Sequence, residues 1–259
     1  MTETRPVQVR EVGSLEEIRA IEALFVDLWR TSVDQPPVNA DILRALAHTG
    51  CYVAGAYEGD RLIGASAGFL GGADGDLHLH SHITGVAPDA QGRHVGRALK
   101  LHQRGWCLER GIAVVTWTFD PLIRRNGWFN LQRLGAEIVG FERDFYGEMR
   151  DGVNVGDHSD RCLVRWDLPA AGERPPVPAD AAPPALAVGN RGEPVVLAVG
   201  ADGGARRCAV PADAVALRRD DPALAQAWRA AFRDTFGAAV DGGHRVVGMT
   251  ADGEYVLAR

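Results

Sequence analysis

The chain has 259 residues, 46% of them hydrophobic and 24% charged, with a formal net charge of −6. At ~150 residues per domain this length predicts one large domain, or one domain with a small partner. The apolar content excludes a wholly disordered chain, and the acidic balance excludes a broad nucleic-acid or anionic-membrane surface.

Val7 to Val12 read as a short strand with polar alternation. Ser14 opens a helix, because Glu17 three residues on completes a capping-box signature. Ile18, Ile21, Leu24, Phe25 and Leu28 then recur at helical spacing as one apolar face. After a turn over Gln35, Pro36 and Pro37, Asp41 to His48 form a second helix ended by Gly50. Strands over Tyr52 to Tyr57 and Arg61 to Phe69 flank Glu58, Gly59 and Asp60, a hairpin signal. The loop Gly71 to Gly75 precedes a strand over Asp76 to Val86.

From there strand and helix alternate. Val95 to Arg110 and Arg124 to Leu134 read as helices, and Ile112 to Phe119, Ile138 to Arg143 and Cys162 to Leu168 as strands. The order predicts an α/β fold, a mixed sheet with helices on both faces. Ala171 to Gly189 hold five prolines and no periodicity, the composition of a semi-rigid spacer. A smaller α+β unit follows, with strands near Val195 to Val199 and Arg207 to Val210, a helix from Asp221 to Phe236, and a hairpin of Arg245 to Met249 with Glu254 to Leu257. The expected division is 1–170, 171–189 and 190–259.

A unit of ~70 residues is near the lower limit for independent stability. It is expected to pack on the main domain or on a second copy in a homodimer. The stripe Leu224, Ala227, Trp228, Ala231 and Phe232 supplies the packing face. Cys51, Cys107, Cys162 and Cys208 form no C-x-x-C pair and read as small buried hydrophobes. Lys100 is the one lysine among 28 basic residues. No apolar run reaches the ~18 residues of a membrane span, and residues 1–5 lack the basic-then-apolar order of a signal peptide. A cytoplasmic location, without nucleic acid or membrane as partner, is the expectation.

The segment from Val86 to Leu99 carries chemistry. A strand ends, a short loop containing Gly92 follows, and a helix begins at once. A helix's first turn presents unpaired N–H groups and the positive end of its dipole, which suits a phosphate. Gly92 and Gly96 permit close backbone approach, while Arg93, Arg97 and Lys100 add charge. Glycine content alone leaves an ordinary strand-to-helix connection equally open.

Val86, Pro88, Gln91, Gly92, Val95, Gly96 and Leu99 resemble the acyl-CoA-binding motif of the GNAT family of N-acetyltransferases, V-x-P-x-x-[RQ]-G-x-G-[IV]-G-x-x-L. The order of elements is similar too, and Asn126 with Leu134 and Gly135 resembles the family's later N…L-G segment. The strings His80 to Val86, Thr116 to Pro121 and Asp160 to Asp167 resemble a two-part branch of the family with a C-terminal extension. The resemblance implies a mostly antiparallel sheet, acetyl-CoA or another acyl-CoA as co-substrate, no metal, and transfer to the primary amine of a small molecule such as an amino acid. It places the co-substrate against Ile83, Gly85, Val86, Gln91, Gly92, Arg93, His94, Val95, Gly96, Arg97 and Asn126.

Two departures from the family pattern stand out. His94 replaces the motif's middle glycine and is expected to hold that residue at φ < 0. Leu131 occupies the position of the tyrosine that serves many members as general acid.

Transfer to an amine needs a proton acceptor, a donor to the developing oxyanion, and protonation of the leaving sulfur. His78, His80 and His82 share one face of a strand. His80 stands where some members carry a glutamate base, and an imidazole near its ordinary pKa of ~6.5 suits the task. Backbone N–H groups near Ile83 to Val86 would meet the oxyanion. Tyr146, Asn130 through a water, and His82 are the candidate acids. Trp117 and Asp120 would line the acceptor pocket, Asp120 pairing a substrate ammonium, although Trp117 also suits a core and Asp120 a turn.

Three other readings compete. His-x-His-x-His on a strand is a zinc pattern, with no carboxylate or cysteine spaced to complete it. Gly64, Ser66 and Gly68 spell G-x-S-x-G, but no helix follows the serine as a nucleophile elbow requires. Leu131 suits a catalytically silent CoA-binding module whose C-terminal unit engages a partner.

Overall fold

The computed structural model describes residues 6–72, 77–198 and 204–259. Residues 1–5, residues 73–76 of the predicted loop and strand start, and Val199 lie outside them. Contacts divide the chain into two units: residues up to Trp117 with Asp151–Val153, and Thr118–Arg150 with Asn154–Arg259.

The first unit begins with β1 (Val7–Glu11) and α1 (Leu15–Trp29). The Ser14 side chain accepts from Glu17 N–H and the Glu17 carboxylate from Ser14 N–H, the expected capping box. Hydrogen bonds from Ser14 and Arg10 lower Glu17 to about 2. Next come α2 (Ala40–His48), β2 (Val53–Glu58), β3 (Arg61–Gly71), β4 (His78–Val86), α3 (Val95–Glu109) and β5 (Val114–Phe119). Neighbouring strands run antiparallel from β1 to β4, and β5 lies parallel to β4. One face of β3 packs Ala65 and Ala67 against Ile18, Ile21 and Phe25 of α1 and Leu43 of α2. On the other face Gly64 leaves room for Val95 and Leu99 of α3, 3.1 and 3.3 Å from where a Cβ would stand.

The second unit contains α4 (Arg124–Trp128), a π-helical turn over Phe129–Arg133, β6 (Glu137–Glu142) and β7 (Arg161–Asp167). The seven strands so far form one mixed, mostly antiparallel sheet in the order β1-β2-β3-β4-β5-β7-β6. After it come β8 (Pro184–Val188), β9 (Pro194–Val196), β10 (Arg206–Cys208), α5 (Ala214–Asp220), α6 (Pro222–Phe232), a second π-turn (Arg233–Gly237), α7 (Ala238–Asp241), β11 (Arg245–Met249) and β12 (Tyr255–Ala258). These strands make a separate sheet, β11-β12-β10-β8-β9.

The structure departs from the sequence expectation here. The contact boundary falls after Trp117, not at 170, because the extension is bound into the segments that precede it. Gln132 donates to the carbonyl of Pro175 (2.6 Å) and accepts from Met249 N–H (3.0 Å). The Tyr255 hydroxyl donates to Pro121 O (2.9 Å). The expected spacer shortens, since Pro184–Val188 is already a strand paired with β9 and β10. The α6 stripe holds at Trp228 and Phe232, but Ala227 is exposed, and Ala225 and Arg229 are buried in its place. Phe232 stacks on Phe236 at 4.5 Å, with Tyr255 against both.

Candidate active site

The β4 strand is irregular where the chemistry was expected. Gly68 pairs with Ser81 and Ala67 with Ile83, so His82 is the extra residue of a β-bulge. Gly68 makes this possible, since a Cβ there would stand 2.6 Å from the His80 carbonyl. The bulge reverses the alternation. Ser81 and Thr84 face α3, whereas Ile83 joins the cluster on α1 and Gly85 lies beneath Leu28 and Trp29.

Beyond the bulge β4 leaves β5. Among the described residues the two strands pair only at Leu79↔Val115 and His80↔Thr116. Ala87 N–H donates to Ile63 O (2.9 Å), so alternation aims the N–H of Thr84 and Val86 at the edge that β5 vacates. The sequence expectation of oxyanion donors within Ile83 to Val86 narrows to these two amides.

His80 is half-buried, with Nδ1 3.1 Å from Thr116 Oγ1 and its ring 5.0 Å from Phe69. Desolvation, then His82, His78 and Lys100, lowers it to about 4, well below the ordinary value expected from sequence. His82 is exposed at the edge of a pocket of about 340 Å³ that Pro36, Val38, Ile42, Ala67 and Phe69 also line. Desolvation lowers His82 as well.

The loop ahead of α3 turns at Gly92 (φ +76°), where a Cβ would meet no atom within 4 Å. His94 is the N-cap at φ +62°. That corrects the expectation of φ < 0: the loop closes only through a left-handed residue, whichever side chain stands there. No side chain caps the helix, and its own ladder begins with Ala98 N–H to His94 O (3.0 Å). The N–H groups of Val95 and Gly96 precede that ladder. Gly96 keeps the approach open, with only Val86 Cγ2 near a Cβ, at 3.9 Å. Gln91 donates to Val86 O (3.2 Å) and ties loop to strand. Arg93 pairs with Glu58, and Arg97 is half-buried on the first turn. Lys100 does not add charge to the loop. It is buried, 6% exposed, over the ring of Trp117 at 4.0 Å. Trp117 is therefore core rather than pocket wall.

In the second unit Asn126 is exposed on α4. Asn130 and Leu131 are buried in the π-turn, which sets Asn130 aside as a solvent-linked acid. Gly135 ends that turn at φ +70°, with Gly172 O 2.2 Å from where a Cβ would be. The Tyr146 hydroxyl is bonded to Thr118 Oγ1 (3.0 Å), and its side chain is exposed. Asp120 does not await a substrate ammonium. Arg229 binds both of its oxygens at 3.0 Å, and Arg218 adds a third contact. Burial alone would raise the Asp120 carboxyl, but Arg229 and Arg218 hold it well below the usual range. The sequence offered no sign of this, because the partners lie about a hundred residues away.

Among the described residues no group of three His, Cys, Asp or Glu side chains is placed to hold a metal ion. Ser66 is buried in mid-strand, with its hydroxyl 2.8 Å from Thr84 Oγ1. Gly64 and Gly68 serve α3 and the bulge, which explains the G-x-S-x-G string without a nucleophile.

The splayed strand, the glycine loop and the uncapped helix follow one another in the order that the sequence resemblance implies. Residues 1–121 match the family model described as acetyltransferase (GNAT) domain. That stretch, just under half of the chain, is similar to a GNAT acetyltransferase domain. No curated protein matches it. Among solved structures it is similar to Chaetomium thermophilum Naa20 in complex with a bisubstrate analogue, at 16% identity over 62% of this chain and 86% of that one (TM-score 0.49). It is also similar to the ribosomal-protein-S18-alanine N-acetyltransferase from Escherichia coli, at 14% identity over 66% and 99% (TM-score 0.47). A third is the aminoglycoside acetyltransferase meta-AAC0020 from an uncultured soil metagenomic sample, in complex with sisomicin, at 14% over 44% and 78% (TM-score 0.39).

Proposed function

We propose that the chain transfers an acyl group from an acyl-CoA to the primary amine of a small molecule, by direct attack while both substrates are bound. The observation that carries this reading is the start of α3, where Gly92 turns the chain and no side chain caps the helix. N–H groups so presented, with the helix dipole behind them, suit a pyrophosphate. The acyl-CoA supplies the activated thioester. The Thr84 and Val86 amides are placed to hydrogen-bond the pantetheine arm and the charge that develops on the thioester oxygen. The family resemblance adds Asn126 as a proposed contact to that arm.

His80 is neutral at neutral pH, so its second ring nitrogen can accept a proton as the N–C bond forms. A base near 4 is too weak to strip a free ammonium, so the amine arrives already neutral. Tyr146 is the proposed donor to the leaving sulfur. The pocket beside His82 is lined mainly by apolar side chains, which suits an acceptor with an apolar substituent better than a polycation.

Leu131 in place of a tyrosine favours a second reading, a CoA-binding module without turnover. One assay separates the two: acetyl-CoA or succinyl-CoA with a panel of amines, read by thiol release and product mass. Transfer to at least one amine is expected. CoA binding without release for every pair would replace the enzyme reading with the module.

A further inference from the structure

Lys100, the chain's only lysine, has no part in the mechanism above, yet its ammonium group is fully engaged inside the first unit. Nζ donates to Ser81 Oγ (2.8 Å) and to Gln103 Oε1 (3.1 Å), and lies over the Trp117 ring. Gln103 in turn donates to Ser66 Oγ at 3.5 Å, and Ser66 meets Thr84 Oγ1 at 2.8 Å. All five polar side chains are buried or half-buried. Ser81 and Thr84 are the residues on either side of the bulge whose side chains turn toward α3. The network therefore grips β4 just before and just after His82, and it does so from the helix whose first turn faces the proposed phosphate.

A bulge has one unpaired residue and a weakened local ladder, so its geometry needs support from outside the strand. A buried ammonium group left without partners is costly, which makes this grip a firm one. We propose that Lys100 is a positioning residue: through Ser81, and through Gln103 and Ser66 to Thr84, it fixes the β4 bulge and so aims the Thr84 and Val86 amides and the His80 ring. The consequence for rate rests on the acyl-transfer reading. The consequence for β4 does not.

The test uses the full chain and the variants Ser81→Ala, Ser81→Thr and Lys100→Met. Ser81→Ala removes one anchor with little change in volume and is expected to lower kcat about tenfold, the scale of a small misplacement of reacting groups. KM for acyl-CoA should stay within about twofold, since the α3 first turn is untouched. Ser81→Thr keeps the hydroxyl and should restore most of the rate. Ile21→Val, which trims the core on α1, serves as a control for lost stability and should leave kcat in place. Hydrogen exchange of a peptide covering residues 78–86 should quicken in Ser81→Ala and Lys100→Met, while one covering 53–58 stays unchanged.

Wild-type kcat and wild-type exchange in Ser81→Ala would overturn the proposal, as would failure of Ser81→Thr to restore the rate. Should Lys100→Met not fold, the Ser81 pair decides. Should the wild-type chain transfer no acyl group to any amine, the transfer reading falls, and exchange over 78–86 alone decides the role of Lys100. Faster exchange confined to that peptide upholds it, and unchanged exchange removes it.

Discussion

Burial among other imidazoles changes what a histidine can do, and His80 shows both consequences. Its folded value of about 4 lies below the ordinary ~6.5, so between these values the unfolded chain binds the extra proton and the folded one does not. Stability therefore falls as pH drops through that window. Thermal melts of wild type should decline from pH 6.5 to 4 more steeply than melts of His80→Gln, and parallel declines would contradict the burial. For the same reason kcat/KM should show no limb near pH 6.5 from this ring. It should rise instead with the fraction of neutral amine, and shift with the acceptor's own pKa across a series. Lys100 obeys the same sign at higher pH. Desolvation lowers it from 10.5 to about 7, so stability rises with pH between those values and burial costs least above the ordinary one.

His94 makes a different point at this scale. A non-glycine residue at φ +62° carries a backbone cost of about 1 kcal/mol. His94→Gly is expected to recover part of that as a higher urea midpoint with an unchanged slope. A lower midpoint would mean that the imidazole makes a compensating contact.

Elements differ in how openly the sequence announces them. The capping box at Ser14, the hairpin around Gly59 and the motif helix rest on contacts within a few residues, so spacing alone locates them. Period 2 also placed the three histidines together. The bulge at His82 was not legible, because it depends on the register of β3 against β4. The cue was Gly68, whose missing Cβ admits the His80 carbonyl, but it read as part of a chance serine motif. The same limit hid half of the role of Asp120: the expected turn is there, with Leu122 N–H on its carboxylate at 3.0 Å, but the distant arginine pair on the same carboxylate was not legible. Gly68→Ala is expected to destabilise by about 1–3 kcal/mol, the usual cost of overpacking. If the bulge aims the amides of β4, activity should fall further than stability predicts, and assays at a temperature well below the melt would expose the difference. Loss of activity only in proportion to unfolded fraction would show the bulge to be structural.

At the scale of the molecule, the extension is the part whose status matters most. Sequence suggested a spacer and an appended small unit, and a chain ending at residue 170 would then be a complete domain. Within the second unit the opposite holds. The side chains of Asp120 and Asp157 are 7% and 4% exposed, and both are paired with Arg218 and Arg229, from α5 and α6. Arg229 is 1% exposed, so its removal leaves two shielded carboxylates sharing Arg218, with one negative charge uncompensated. Breaking a buried pair from one side costs about 3–5 kcal/mol, a large share of the roughly 5–15 kcal/mol that holds a protein folded. Arg229→Met should therefore lower the unfolding free energy by about that much in urea melts. The double variant Arg229→Met with Asp120→Asn should recover part of the loss, because the uncompensated charge goes with it. A chain cut after residue 170 loses both arginines, and with them the Met249 and Pro175 partners of Gln132. Such a chain should lack the near-ultraviolet circular dichroism of packed aromatics. A cut chain that folds cooperatively with native stability would show the ion pairs to be decoration, and would restore the appended unit that the sequence first suggested.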